Sequence, residues 1–597
     1  MSEILIELTG GLFLLQETAP EDVFTPEDFD ENQRMIGQVV EDFCAKHVLP
    51  VQEQLEYEGK TELGAPLLKE AGAMGILAAD VPEAYGGLGS DKATIMLISE
   101  KMTAGGSFAV THGAQSGIGT LPIVYFGTPE QKQAYLPKLA TGELLSCYAL
   151  TEPGSGSDAL AARTTATLSE DGSHYVLNGT KQYITNAGYA DMVVLFAKVD
   201  GEQFTAFLVD LHSDGVTRGV EEKKMGIKGS STRALILEDV KVPVENVLGE
   251  IGKGHVIAFN ILNVGRFKLG ASSVGGCKQV LAHAIPYVKQ RHQFGQPLAA
   301  FPLIRRKIAQ VAARTFVTES MVYRTAGLLD RAIAGLDRTA ADFDWQSIQK
   351  VEEFSIECSM IKVFATESLA FAAEEGVQML GGYGYCQDYP LERIYRDERI
   401  NRIFEGTNEI NRMLVPGMIM RKALKGELAF LPAAKAVAEE LTALPTLGET
   451  GEPDELTDVA RIVENLKKVV LATLGLAAQK YGPALKDQQE ILSDVADIVM
   501  ETYACESALL RTRKQAARAG ADAVRVMADM VTLYAHDAIE TAAIRGKNVL
   551  AATAEGDELR VYLAGLRRLT KHDPVNRPRL HDAIAERIVA ADGYALA

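Results

Sequence analysis

A run of residues with a hydrophobic period of two, set between longer stretches with the helical period of about 3.6, constrains this chain more than any other feature. From about Ser146 to Leu248, segments such as His174-Tyr175-Val176-Leu177, Met192-Val193-Val194-Leu195-Phe196 and Phe204-Thr205-Ala206-Phe207-Leu208-Val209 are rich in β-branched and aromatic residues. Asp171-Gly172, Asn178-Gly179, Asp200-Gly201 and Asp214-Gly215 punctuate them at turn positions. This texture predicts a compact antiparallel β domain. Before it the pattern is helical, with breaks at Pro50, around Pro82 to Gly87 and at Pro122, and Thr128-Pro129-Glu130-Gln131 has the cap and first-turn proline of a helix start. After Gly254 the helical period returns: Ile304, Ile308, Val311, Val322 and Leu329 fall on one stripe.

Leu444 to Pro453 mixes proline, glycine and acid as an exposed linker would. Beyond it, Val459, Ile462, Val463, Leu466 and Val470 form one helical stripe, and Leu492, Val495, Ile498, Val499 and Thr502 form another. The expected divisions are a helical domain at 26–145, a β domain at 146–254, a second helical domain at 255–425, a linker at 426–455 and a C-terminal helical bundle at 456–597. The fold class is mainly α with a central β domain.

At 597 residues the chain is long enough for several cores and a buried cofactor. Its formal charge of -20 disfavours nucleic acid as a partner. The 6 cysteines include no CxxC pair and no metal-like spacing with histidine, so they read as reduced packing residues with no metal. The apolar patch Leu12 to Leu15 follows Glu3 and Glu7 and lacks the basic flank of a secretory signal. No stretch reaches the roughly 18 apolar residues of a membrane span. These features predict a cytoplasmic protein, soluble or at most in peripheral contact with a membrane.

No glycine-rich strand-to-helix loop of the usual dinucleotide or nucleotide-triphosphate kind is present in a suitable context. Four other segments could carry chemistry. The loop Tyr148-Ala149-Leu150-Thr151-Glu152-Pro153-Gly154-Ser155-Gly156-Ser157-Asp158 offers small residues whose backbone can approach a polar ligand. In Lys181-Gln182-Tyr183-Ile184-Thr185-Asn186, strand alternation puts Tyr183 and Thr185 on one face, suited to a flat heterocycle. Gln378-Met379-Leu380-Gly381-Gly382 ends a helix with paired glycines. Arg402-Ile403-Phe404-Glu405-Gly406-Thr407-Asn408-Glu409 sets an acid beside Phe404, where desolvation makes it a better base. Each alone is equally explained by an ordinary turn, strand or helix end.

Taken in this order and at these separations, the segments resemble the acyl-CoA dehydrogenase family, from about Phe29 to Lys425. Supporting runs include Leu136 to Glu143, Lys224-Met225-Gly226-Ile227, Val240 to Gly249 and Arg291-His292-Gln293-Phe294-Gly295. The C-terminal bundle and the run Ile261-Leu262-Asn263-x-Gly265-Arg266-Phe267 look most like the very-long-chain branch. The resemblance implies a helical domain, a β-barrel and a helical bundle, followed by the extra C-terminal bundle. It implies FAD, held by Tyr148, Leu150, Thr151, Gly156, Ser157, Tyr183 and Thr185, with Thr407 and Glu409 also on the cofactor side. Many relatives carry tryptophan where this chain has Tyr183. Arg291, Gln293, Phe294, Gln378, Gly381 and Gly382 match contacts to the FAD of a neighbouring subunit, which implies a homodimer.

By the same carry-over Glu405 is the catalytic base, and the position that holds this acid in other branches is Gly265. Ser157, Asn263, Arg266 and Gly406 match positions near the acyl-CoA substrate, Arg266 offering charge to its anionic tail. The implied reaction is α,β-dehydrogenation of fatty acyl-CoA to trans-2-enoyl-CoA in β-oxidation, with electrons passed to electron-transfer flavoprotein. On chain length the hints disagree: Gly119 leaves room at a tunnel floor, whereas Pro122 stands where some long-chain members have glycine. An oxidase that passes electrons to oxygen, and a scaffold without chemistry, are the alternatives.

Overall fold

The structure is a computed structural model that describes residues 8–442 and 456–596. The helix Pro129–Thr141 begins where its sequence signal lies: Thr128 Oγ1 accepts from Gln131 N at 3.2 Å, and Gln131 Oε1 accepts from Thr128 N at 3.0 Å. It ends at Gly142, whose φ of 72° suits a residue without a Cβ. With Glu31–Phe43 and Lys92–Met102 it belongs to the first helical unit.

The β-rich stretch forms an eight-stranded sheet. Its hydrogen-bonded path runs Val216–Arg218, Thr232–Pro243, His174–Thr185, Thr165–Leu168, Met192–Val199, Gln203–Asp210, Val247–Leu248, and Ser146–Ala149 joins at Met192–Val199. Most pairs are antiparallel, but Ser146–Ala149 and Thr165–Leu168 both run parallel to Met192–Val199. This corrects the expectation of a purely antiparallel domain. Parallel pairing needs a crossover rather than a hairpin, and the intervening loop and strands provide one. Met192–Val199 is buried along nearly its whole length. One of its faces packs within the sheet's own core and the other against the helical core, which is why its sequence is a continuous apolar run.

Beyond the sheet, Gly254–Gln290 packs along Lys92–Met102 and Ser355–Leu380, and Pro302–Ala334 closes this second helical unit. Thr457–Tyr481, Gln489–Ala519 and Arg525–Thr553 form the C-terminal bundle, with both predicted stripes, Val459 to Val470 and Leu492 to Thr502, buried. The expected linker is corrected in part. Phe430–Thr442 is a helix whose Phe430, Ala434, Val437 and Leu441 are buried at helical spacing against Thr457–Tyr481. The segment Leu444 to Pro453 lies outside the described residues. Among the described residues no helix is long and apolar enough to cross a membrane.

Buried charged side chains also join the units. Arg511 in the C-terminal bundle is 2% exposed and donates to Glu319 Oε2 at 2.7 Å and to Glu27 Oε1 at 2.6 Å. Glu319 also pairs with Lys278, which reaches Glu100 Oε1 at 2.6 Å. Removing one member of such a buried network strands the others without compensation. Arg511→Ala is therefore expected to lower unfolding stability by about 3–5 kcal/mol, read as a lower denaturation midpoint. A loss below about 1 kcal/mol would show that the network behaves as a surface pair.

Candidate functional site

The site is built around one short turn. After the 3-10 helix Arg399–Arg402 the chain must reverse before the helix Asn408–Lys425, whose start is capped by Thr407 Oγ1 accepting from Ile410 N at 3.2 Å. Glu405 has φ 57° and Gly406 φ 76°, so two consecutive residues are left-handed. Glycine takes this freely, but a glutamate there costs about 1–2 kcal/mol and needs support. Arg266 Nε donates to the Glu405 carbonyl at 3.1 Å, and Asn411 Nδ2 and Lys362 Nζ both donate to the Gly406 carbonyl at 2.8 Å.

The Glu405 carboxyl fills the space left by Gly265, where an added Cβ would lie 2.5 Å from Oε2. That oxygen is sealed from solvent and has no hydrogen-bond partner among the described residues. Burial pushes the carboxyl up to about 7, while the nearby Arg266 and Lys362 cations pull it back down. Glu405 lines a cavity of about 330 Å³ together with Phe404, Thr185, His112 and Lys268. The cavity follows one stripe of Gly254–Gln290: Gly265, Leu269, Ser272, Gly276, Gln279 and His283. At 1.5 Å per residue that stripe is about 27 Å long.

The sheet supplies the opposite side. Tyr148 is buried on Ser146–Ala149, and its hydroxyl lacks a partner among the described residues. Burial, and then the Glu405 carboxylate, push that phenol well up. The loop after it is pinned from below: Leu150 O accepts from Lys181 Nζ at 3.3 Å and Thr151 O from Gln182 N at 2.9 Å. Buried Glu152 takes Lys181 Nζ at 2.7 Å, Arg163 N at 2.6 Å and Thr164 Oγ1 at 2.5 Å. Glu152 and Lys181 were not among the predicted site residues. Their signal was present, since Lys181 alternates inward with apolar neighbours and an inward lysine needs an acid. Gly156 and Ser157 are exposed, and open space surrounds Gly154 and Gly156.

Several predicted residues sit differently from their expectation. Tyr183 and Thr185 do not share a face by simple alternation, because a register slip between Lys181 and Ile184 puts Tyr183 at φ 59° and 64% exposed. Thr185 alone of the two lines the cavity. Arg266 and Asn263 are buried and bonded to each other at 2.8 Å, so the Arg266 guanidinium supports the Glu405 turn instead of standing open to an anionic tail. The Gly406 carbonyl is likewise occupied, by Lys362 and Asn411. Glu409 is exposed, its carboxyl held low by its own N–H at the helix start. Gly119 packs against Ser146, and Gly113 and Gly117 are the glycines of that region that line the cavity.

Arg291, Gln293 and Phe294 form an exposed hairpin, with Phe294 92% exposed. Gln378, Gly381 and Gly382 are exposed at the end of Ser355–Leu380. Arg291 lies 5.8 Å from the centre of the Tyr383 ring, which brings the two groups side by side, and none of the six lines the cavity.

Comparison with known proteins bears on the whole chain. Models described as the acyl-CoA dehydrogenase N-terminal, middle and C-terminal domains match residues 30–143, 147–240 and 252–419, and a further acyl-CoA dehydrogenase C-terminal domain matches 465–568. A probable acyl-CoA dehydrogenase of Bacillus subtilis is 49% identical over 98% of both chains. The chain belongs to the acyl-CoA dehydrogenase family. The crystal structure of an acyl-CoA dehydrogenase complexed with FAD from Bacillus anthracis superposes with a TM-score of 0.95 and 50% identity, covering 98% of this chain and 100% of that one. Human mitochondrial very long-chain specific acyl-CoA dehydrogenase is 39% identical over 63% of this chain and 54% of its own.

The crowding at Gly265 makes a direct test possible. Gly265→Ala is expected to displace the Glu405 carboxyl and to lower acyl-CoA dehydrogenase activity by roughly 5- to 150-fold, the kinetic equivalent of a 1–3 kcal/mol overpacking penalty. Steady-state rates at saturating acyl-CoA check this, and an unchanged rate would contradict the packing.

Proposed function

We propose that this chain is an FAD-dependent acyl-CoA dehydrogenase in which Glu405 removes the α-proton of a saturated fatty acyl thioester, leaving trans-2-enoyl-CoA. The observation that carries the reading is the Glu405 carboxyl: desolvated, unpaired, shifted to about 7 and facing a long cavity. A base poised near neutrality is what abstraction of a weakly acidic α-hydrogen needs. The residues present fit the cofactor. The unpartnered Tyr148 hydroxyl, the fixed Leu150-Thr151 backbone, the Thr185 hydroxyl and the open space at Gly154 and Gly156 would hold it, with Ser157 and Tyr183 at the exposed edge. When bound, FAD supplies the acceptor for the β-hydrogen as hydride.

The chain's own groups do the rest. One Glu405 carboxyl oxygen is sealed from solvent, and Arg266 and Asn411 hold the turn while the carboxyl changes charge. The stripe of about 27 Å from Gly265 to His283, faced by the small residues Gly113, Ala114 and Gly117, supports a long-chain substrate. Likeness to the very-long-chain branch and the C-terminal bundle support the same choice. The exposed group of Arg291, Gln293, Phe294, Gln378, Gly381 and Gly382 is assigned to the FAD of a second copy, making the working unit a homodimer. Electron-transfer flavoprotein is the proposed acceptor, in fatty acid β-oxidation.

Glu405→Gln keeps the size of the side chain and removes the proton acceptor. FAD content is expected to stay normal while anaerobic flavin bleaching by saturated acyl-CoA slows ~10²- to 10⁴-fold, or roughly 3–5 kcal/mol. Near-wild-type bleaching would end the assignment. The raised carboxyl also fixes the sign of the pH dependence. The protonated, inactive form dominates below about 7, so kcat/KM should climb with pH through that value and level off above it. A profile already flat there would contradict the shift.

A further inference from the structure

Lys362 is fully buried on Ser355–Leu380, in a helix whose neighbouring positions are apolar. A buried amine requires partners, and its partners lie in the Glu405 turn. Nζ donates to the Gly406 carbonyl at 2.8 Å and to Asn408 Oδ1 at 2.7 Å. The orientation of Asn408 is set from behind, because its Nδ2 donates to Thr366 Oγ1 at 3.2 Å and Glu367 Oε1 at 3.0 Å. Lys362 therefore ties the left-handed turn to the helix that follows it and to the helix that packs beneath it.

We propose that Lys362 is a positioning residue for proton abstraction: it clamps the Gly406 carbonyl so that the Glu405 carboxyl stays in the Gly265 gap, and it sets a positive charge beside that carboxyl that favours its ionised form. The inference rests on Glu405 being the base. The charges facing Lys362 are Glu405, Arg266, Glu409 and Glu367. Glu367 is held bidentately by Arg412 at 2.7 and 2.8 Å, and Glu409 is exposed at the surface, so the counter-charge left for the ammonium in the interior is Glu405. The charges facing Glu405 are Arg266 and Lys362, and Tyr148 stands beside it as a neutral phenol. Arg266 stays charged at any working pH, whereas burial pulls Lys362 down to about 7. Each of Glu405 and Lys362 therefore favours the charged form of the other.

The sign follows directly. Loss of the Lys362 charge raises the proton affinity of Glu405, so less of the base is ionised at neutral pH. Lys362→Met, holoenzyme in hand, is expected to retain FAD and to shift the rising limb of the bleaching-rate profile upward by ~1 pH unit, the effect of losing one nearby cation. At pH 7 that is roughly a fivefold slower bleaching, approaching about tenfold well below it. Lys362→Gln, which keeps an amide donor for Gly406 and loses the charge, should show the same shift, and Lys362→Arg should restore the wild-type limb. If Lys362→Met fails to retain FAD, the Gln and Arg variants give the comparison. A Gln variant that holds FAD and keeps the wild-type limb overturns the proposal. Glu405→Gln run in parallel separates the two readings: full bleaching by it removes the base assignment itself, whereas its inactivity with an unshifted Lys362→Gln removes the role of Lys362 alone.

Discussion

The site depends on a carboxyl held at the wall of a cavity with one of its oxygens sealed from solvent. Glu405 occupies a left-handed backbone position, its side chain lies in the gap over Gly265, and its Oε2 has no hydrogen-bond partner among the described residues. Each of these conditions is unfavourable alone. Together they hold an acid near neutrality, and the surrounding fold can be understood as what offsets their cost.

Two long helices do most of this. Gly254–Gln290 provides the gap at Gly265, the Arg266 grip on the Glu405 carbonyl and one wall of the cavity. Ser355–Leu380 brings Lys362 against the other side of the turn. The sheet then contributes the bulged strand that presents Thr185 to the cavity, with Tyr148 buried nearby. The outer charge network through Arg511, Glu319, Lys278 and Glu100 ties the C-terminal bundle to the first of these helices, since Lys278 lies on Gly254–Gln290 itself. The extra bundle thus braces the element that shapes the cavity.

Much of this was legible in the residues. Period and turn signals showed the helical, β and helical succession, because stripes such as Val459 to Val470 reflect a buried face directly. Glu405 was singled out by the family resemblance, since the residues around it alone are equally those of an ordinary helix start. What stayed hidden depends on the third dimension. The parallel pairing of Ser146–Ala149 is a matter of topology, and the bulge that turns Tyr183 outward breaks the alternation on which its face was read. Arg266 looked available for an anion because its partners, Glu405 and Asn263, could only be paired with it in the folded chain. Phe430–Thr442 was obscured by the glycine- and proline-rich stretch beyond it, although its buried stripe is regular.

The central claim concerns the proton affinity of one side chain, and it can be observed without turnover. Infrared difference spectra of the holoenzyme against its Glu405→Gln variant isolate the carbonyl stretch of the protonated Glu405 carboxyl, which can be followed as pH is raised. The account predicts that this band persists well above the ordinary glutamate value of about 4.3 and disappears near about 7. A band already lost near the ordinary value would mean that Glu405 is solvated and paired, and would contradict the site as described.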